Sequence, residues 1–167
     1  TKDALLLKYD SAGKILFAKS WGQTSEDEAT CLAMDNDKNI YISGRTSNFA
    51  SREGAIFLNK YNAIGQLQFQ RIWDGNNSET ASSLARTTSG LYVCGETRSY
   101  GIGETDMLTL KYSAEGALLW AMTWGTTAAD VPYGIAADGA DNVYLVGESN
   151  AISSADIAVI SLNSSGN

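Results

Sequence analysis

The chain alternates short apolar runs with polar, glycine-containing turns along its whole length. The runs are about seven residues long and rich in aliphatic and aromatic residues, which is typical of β-strands. Within residues 14–21, strict alternation places Phe17 and Trp21 on one face. No segment carries the three- and four-residue apolar spacing of an amphipathic helix over three turns. The pattern therefore predicts an all-β fold.

The apolar runs belong to a tandem repeat with a period of 51 or 52 residues, as the spacing of one tyrosine shows. The residues that recur at matching points are Tyr41, Tyr92 and Tyr144, then Gly44, Gly95 and Gly147, and Trp21, Trp73 and Trp124. The repeats cover residues 3–54, 55–105 and 106–155, and a partial copy covers residues 156–167. We predict one domain over residues 1–167, with the repeated aromatic residues filling the space between stacked sheets.

Each repeat contains four predicted strands in about 50 residues, which fits the blade of a β-propeller. A β-solenoid or linear β-array is the alternative, although its coils are usually shorter. The smallest residues lie in segments 31–34, 83–86 and 134–137, so we expect these strands next to the crowded axis. With these strands innermost, the chain supplies the two outer strands of one blade, two whole blades and three strands of a fourth blade. We expect it to be a segment of a larger or oligomeric propeller, and its start at Thr1 without Met fits this expectation.

In its first copy the repeat contains Asp3, Lys8-Tyr9, Gly13, Trp21-Gly22, an acidic loop, Asp35, and residues 39–44 ending at Gly44. This pattern resembles the bacterial β-propeller repeat known as SBBP. The second copy departs from it, with Ala55 in place of the first aspartate and Asp74 inserted after Trp73. The resemblance implies an extracellular or cell-surface scaffold, and the family supplies no shared catalytic residues.

Charge and composition narrow the classes of partner. The formal net charge is −7 and the pI is about 4.5, which disfavours nucleic acid and anionic membranes. No apolar run approaches the roughly 20 residues of a membrane-spanning helix. Histidine is absent, so the chain holds no Ser-His-Asp triad, and Cys31 and Cys94 cannot complete a zinc site alone. Two buried thiols or one disulfide both fit these cysteines.

Three motifs suggest chemistry, but each has a structural explanation that we favour. The turns at 35–39 and 138–142 resemble calcium loops, yet they lack a following bidentate glutamate and fit Asx turns. The acids at 26–28 fit a solvated loop patch better than a glycosidase pair. The glycines at 101 and 103 fit a linker between strands better than a phosphate loop. We therefore predict no catalytic residue, no metal site and no cofactor.

The variable loops at 46–54, 97–105 and 149–155 recur on one rim of the predicted propeller, where recognition usually occurs on a rigid scaffold. The candidate binding residues in or beside them are Arg45, Phe49, Arg52, Arg98, Tyr100 and Ile152. The first functional hypothesis is a non-catalytic scaffold for protein interaction or self-association. The alternative is a carbohydrate-binding, lectin-like domain, which requires exposed tryptophans, whereas we expect Trp21, Trp73 and Trp124 to be buried. A propeller glycosidase or lyase ranks last.

Overall fold

The computed structural model describes residues 2–22, 24–47, 53–150 and 155–167. These residues form thirteen β-strands, and none of them forms a helix that is long and apolar enough to cross a membrane. The strands are β1 (Ala4–Tyr9), β2 (Ile15–Trp21), β3 (Asp27–Met34), β4 (Ile40–Thr46), β5 (Ala55–Tyr61), β6 (Leu67–Trp73), β7 (Glu79–Arg86), β8 (Leu91–Thr97), β9 (Asp106–Tyr112), β10 (Leu118–Trp124), β11 (Asp130–Ala137), β12 (Val143–Ser149) and β13 (Asp156–Leu162).

The strands form four antiparallel sheets in which sequence neighbours pair: β1-β2, β3-β4-β5-β6, β7-β8-β9-β10 and β11-β12-β13. We call these the first to fourth sheets. Each complete sheet takes two strands from one sequence repeat and two from the next, as strand counting predicted. The all-β, four-stranded blade prediction is confirmed, and the β-solenoid alternative is wrong.

The small-residue strands β3, β7 and β11 each lie at one edge of their sheet, and β7 contacts both of the others. Thr30 Oγ1 in β3 donates a hydrogen bond of 2.6 Å to the carbonyl of Ala81 in β7. Small side chains allow these strands to converge, because sheets that radiate from an axis are closest together there. The predicted innermost strands are therefore confirmed.

Both faces of the middle strands are covered, since each complete sheet lies between two neighbours. Residues of β4, β5, β8 and β9 are almost all buried. Three apolar layers result, one at each junction between sheets. Their largest members are Phe57 and Tyr61 at the first junction, Tyr41 and Tyr112 at the second, and Tyr92 and Leu145 at the third.

The repeated glycines at 44, 95 and 147 have a steric cause. Each pairs with an inner strand beside a β-bulge, where the register shifts. A Cβ at Gly95 would collide with the carbonyl oxygen of Thr80, and the same collision recurs at the other two glycines. The bulge bends the inner strand towards its neighbour, and only glycine leaves room for that approach.

One contact, which we call the lysine–turn contact, recurs at all three junctions. A lysine of one sheet donates through Nζ to a carbonyl in a turn of the next sheet. The glycine of that turn faces an aromatic ring of the sheet that carries the lysine. The lysine–carbonyl pairs are Lys8–Ala63 at 2.7 Å, Lys60–Ala114 at 3.3 Å and Lys111–Ser164 at 2.9 Å. The matching ring–glycine pairs are Phe17–Gly65, Phe69–Gly116 and Trp120–Gly166.

The lysine in this contact also lies over an aromatic ring of its own sheet. The distances from Nζ to the ring centroid are 5.7 Å for Lys8 and Phe17, and 5.0 Å for Lys111 and Tyr92. The ring offers a cation–π attraction that offsets part of the cost of removing the ammonium from water. Each turn glycine has a positive φ, between 78° and 84°, so the same residue closes the turn and leaves room for the ring.

The expectation that all three repeated tryptophans are buried is wrong. Trp21 and Trp73 are half-buried, and Trp124 is 37% exposed. Each of these residues ends the outermost strand of its sheet, where only one neighbouring sheet can cover it. The repeat aligns Phe57 and Leu108 with the smaller Ala158 in the fourth sheet, which leaves Trp124 with less cover than the other two.

Replacing Gly95 with alanine should lower the free energy of unfolding by about 1–3 kcal/mol, because the added methyl group overpacks the bulge. Gly139→Ala is the control, since a Cβ at Gly139 meets no atom within 4 Å. The control should change stability by less than about 0.5 kcal/mol. Urea unfolding of the three proteins measures both values, and equal stabilities would contradict the steric explanation.

Lys111→Met should destabilise the fold by about 1–3 kcal/mol, because it keeps the apolar stem but removes a charged hydrogen bond and a cation–π contact. Lys14→Met, at an exposed position, is the matched control. Thermal or urea unfolding should separate the two variants. A Lys111→Met protein as stable as the control would mean that the lysine–turn contact contributes nothing.

Candidate functional site

The structure describes half of the predicted rim residues. Arg45 lies in β4, and Arg98 and Tyr100 lie in the loop between β8 and β9. Phe49, Arg52 and Ile152 lie outside the described residues. Arg45 is half-buried and donates through Nη2 to the carbonyl of Glu53, so it holds the backbone there, whereas Arg98 is exposed.

The structure brings Tyr100 together with Trp73, across the junction between the second and third sheets. Their ring centroids are 5.3 Å apart and the planes are inclined by 52°. The two rings border a cavity of about 310 Å³, whose other lining residues are Leu108, Ala121 and Thr123. Neither Arg45 nor Arg98 lines it. We call this space the inter-sheet cavity.

Tyr100 is held in place by buried carboxylates on either side of it. Glu79 begins β7 and accepts hydrogen bonds from the Gly75 N–H at 2.9 Å, from Thr97 Oγ1 at 3.2 Å and from Ser99 Oγ. The bond from Ser99 fixes the residue immediately before Tyr100. A buried carboxylate needs several such donors, because burial removes the water that would otherwise solvate it.

Asp106, which begins β9, fixes the other side of the loop. Its carboxylate accepts hydrogen bonds from the Gly103 N–H at 3.1 Å and the Ile102 N–H at 3.4 Å. The glycine-containing segment 101–104 is therefore a linker between strands, as predicted, and its N–H groups face a carboxylate of the same chain. With Ser99 and Ile102 both fixed, the ring of Tyr100 has a defined position beside Trp73.

The acidic cluster at 26–28 is solvated, as we expected, at Glu26 and Glu28 but not at Asp27. Asp27 is fully buried and begins β3, at the position that Glu79 and Asp130 occupy in the next two sheets. Asp130 accepts hydrogen bonds from Thr126 N at 2.6 Å and Thr126 Oγ1 at 3.0 Å. A carboxylate at this position organises the preceding loop. Glu26 and Glu28 fit the expectation, since both are exposed, and Glu28 pairs with Lys2 at 2.9 Å.

The two turns that resemble calcium loops are Asx turns, as predicted. Asp35 accepts hydrogen bonds of 2.8 Å from both the backbone and the side-chain amide of Asn39. Asp138 and Asn142 repeat the arrangement, and the Asn142 side-chain hydrogen bond lowers the pKa of Asp138. In the described part of the chain, no group of three or more acidic, cysteine or histidine side chains is placed to hold a metal.

The sequence analysis missed three lining residues of the inter-sheet cavity, namely Leu108, Ala121 and Thr123. A signal was available in the repeat, because Leu108 aligns with Phe57, and Ala121 aligns with Gln70. Both changes shorten a side chain at the same junction. The repeat is recognised by the residues that its copies share, whereas these positions matter because they differ.

Both cysteines are free thiols in adjacent sheets. Burial raises the pKa of Cys31 to about 11. Burial, and then the proximity of Cys31, raises the pKa of Cys94 to about 12. Both groups are therefore neutral at pH 7, and a packed thiol explains them better than a nucleophile does.

The stacked four-stranded sheets define the chain as part of a β-propeller. A family model described as SBBP, beta-propeller repeat, matches residues 124–152, which confirms the resemblance seen in the repeat. A curated relative, the regulatory protein FlaEY of Caulobacter vibrioides, is 32% identical over a stretch that covers 58% of this chain. That stretch is 12% of FlaEY, so the chain corresponds to a small part of that protein.

Among solved structures, the fold resembles that of a gluconolactonase from Xanthomonas campestris, with a TM-score of 0.52 and 14% sequence identity. The match covers 96% of this chain and 52% of the gluconolactonase chain. At this identity the likeness shows a shared fold alone, because one fold hosts many functions. The chain therefore spans about half the length of that propeller.

The thiol of Cys31 should react with iodoacetamide at pH 8 about 100-fold more slowly in the folded protein than in urea, because only the thiolate is reactive. The unfolded thiol has a pKa near 9, against about 11 in the fold. The folded rate should rise about tenfold for each pH step of one until the pH nears 11. Mass spectrometry of the labelled peptide measures the rate, and equal rates at pH 8 would contradict the burial argument.

Proposed function

We propose that this chain is a non-catalytic β-propeller segment that serves as a scaffold for protein–protein interaction and assembly, outside the cell or at its surface. The observation that carries the proposal is the apolar face on each outer sheet of the stack. Ile56, Met107 and Ile157 occupy the same position in successive repeats. Ile56 and Met107 are each 1% exposed, whereas Ile157, in the fourth sheet, is 88% exposed. Val159 lies two residues further on, on the same face, and is also exposed.

The first sheet presents the opposite face in the same way. Leu5 is 58% exposed, whereas Phe57 and Leu108, at the matching position of the next two sheets, are fully buried. The outer faces thus carry the kind of residues that fill the inner junctions. We propose that further blades cover them, supplied by the same polypeptide or by another copy. Contiguous apolar faces that are exposed mark interaction surfaces.

Two observations support a non-catalytic role. The buried carboxylates Glu79, Asp106 and Asp130 each accept hydrogen bonds from their own loops, which assigns them to structure. The chain has no histidine to act as a general base at neutral pH. The resemblance to the gluconolactonase is one of fold. An extracellular or surface location rests on the SBBP repeat, and the exposed rim residues Arg98 and Tyr100 are candidate protein contacts.

Light scattering on the 17.8 kDa chain tests the assembly proposal. We expect a discrete mass that is a multiple of the chain mass at micromolar concentration. The double variant Ile157→Lys, Val159→Lys should shift this mass towards that of one chain, since buried unpaired ammonium groups are costly. Ile64→Lys is the control, because Ile64 is exposed in a turn between β5 and β6. A compact monomer of the unmodified chain would contradict self-assembly. An equal fall in particle mass in the Ile64→Lys control would contradict the assignment of assembly to the face that carries Ile157 and Val159.

A further inference from the structure

The inter-sheet cavity arises from two changes in the repeat. At the first junction, Trp21 packs on Phe57 with a centroid distance of 4.3 Å and donates from Nε1 to Gln70 Oε1 at 3.0 Å. One repeat later, Leu108 stands in place of Phe57, and Ala121 stands in place of Gln70. The ring of Trp73 therefore faces smaller side chains on both sides. The volume that phenylalanine and glutamine fill at the first junction is open at the second.

Ala121 also lacks the amide oxygen that Gln70 offers to Trp21. Among the described residues, none accepts a hydrogen bond from Trp73 Nε1, whereas Gln70 Oε1 accepts one from Trp21 Nε1. Thr123 lines the cavity on the other side and brings a hydroxyl group. A ligand that enters must therefore offer apolar surface to the rings and hydrogen-bonding groups at its edge.

The size and charge of the cavity restrict the ligand further. About 310 Å³ lies near the lower limit of small-molecule pockets, which span about 300–1,000 Å³. None of the five lining residues is charged, and the chain has a net charge of −7, which disfavours anionic ligands. The ligand is therefore small and neutral, and it has an apolar face with polar edges.

A neutral pyranose ring has these properties, because its C–H groups form an apolar face and its hydroxyl groups surround that face. An aromatic wall suits the apolar face, and an amphipathic aromatic residue such as Tyr100, half of which is exposed, suits the entrance. An aliphatic peptide side chain fits less well, since it would leave the Trp73 N–H and the Thr123 hydroxyl buried without partners.

We propose that the inter-sheet cavity binds one neutral pyranose residue, stacked against Trp73 and Tyr100, with a ring hydroxyl accepting from Trp73 Nε1. Leu108 forms the floor, and the short side chain of Ala121 provides the space. Glu79 and Asp106 act as positioning residues, because they hold the loop that carries Tyr100. The site lies between the second and third sheets, away from the outer faces of β1 and β13, so it does not depend on the assembly proposal.

The decisive variant is Ala121→Gln, which recreates at Trp73 the arrangement that Gln70 makes with Trp21. The new side chain should fill the cavity and accept from Trp73 Nε1 without disturbing the fold, since the first junction already accommodates it. Ala18→Gln is the matched control, because Ala18 is the exposed equivalent position in β2. Light scattering of both variants checks that assembly is unchanged.

The probe is a panel of methyl glycosides of glucose, galactose and mannose, titrated to about 20 mM because a single small ring binds weakly. The readout is the indole N–H signal of Trp73 in a ¹H–¹⁵N NMR spectrum, assigned by its loss in Trp73→Phe. We expect a saturable shift with at least one glycoside, weakened at least about tenfold in Ala121→Gln and retained in Ala18→Gln.

Three results would overturn the proposal: no shift with any glycoside, an equal shift in Ala121→Gln, or a shift with N-acetyl-leucinamide but with no glycoside. The last result would assign the cavity to an apolar peptide side chain. A chain that binds a glycoside but remains monomeric would contradict self-assembly and leave the sugar site standing, so failures of the two proposals are distinguishable.

Discussion

The structure depends on the contact between one sheet and the next. A four-stranded sheet with apolar residues on both faces cannot bury them by itself, so each sheet requires a neighbour on either side. The lysine–turn contact joins neighbouring sheets at their outer half, where the aromatic ring of one meets the glycine turn of the next. Near the axis, small residues and bulges bring β3, β7 and β11 together. The sheets are thus held together by the lysine–turn contact at their outer half, and by small residues and bulges near the axis.

This division explains how one junction can vary without loss of the fold. The lysine, the ring and the turn glycine recur at every junction, whereas the residues packed on the repeated tryptophan do not. Exchanging Phe57 and Gln70 for Leu108 and Ala121 opens a cavity, and the lysine–turn contact at Lys60 still holds the sheets. A repeated scaffold can therefore acquire a binding site by shortening two side chains. The carboxylates at the loop ends keep the lining loop in place.

Much of the fold could be predicted from the sequence, because the same pattern of residues recurs in each repeat. Strand order and the innermost strands were predictable, since each depends on residue type within one sheet. Exposure was not predictable, because it depends on a residue about 50 positions away in the neighbouring sheet. Trp124 is partly exposed opposite a position held by Ala158, and Asp27 is buried although it follows an acid in a polar segment. The cavity was missed for the same reason.

Cover by neighbouring sheets, more than pairing within a sheet, determines where the structure is stable. Native-state hydrogen exchange tests it directly, because hydrogen-bonded amides report the free energy of local opening. Paired amides of β5 and β9, which are covered on both faces, should exchange only through global unfolding. Paired amides of the outer strands β6 and β10 should exchange through smaller openings. Equal protection in β5 and β6, and in β9 and β10, would contradict the claim.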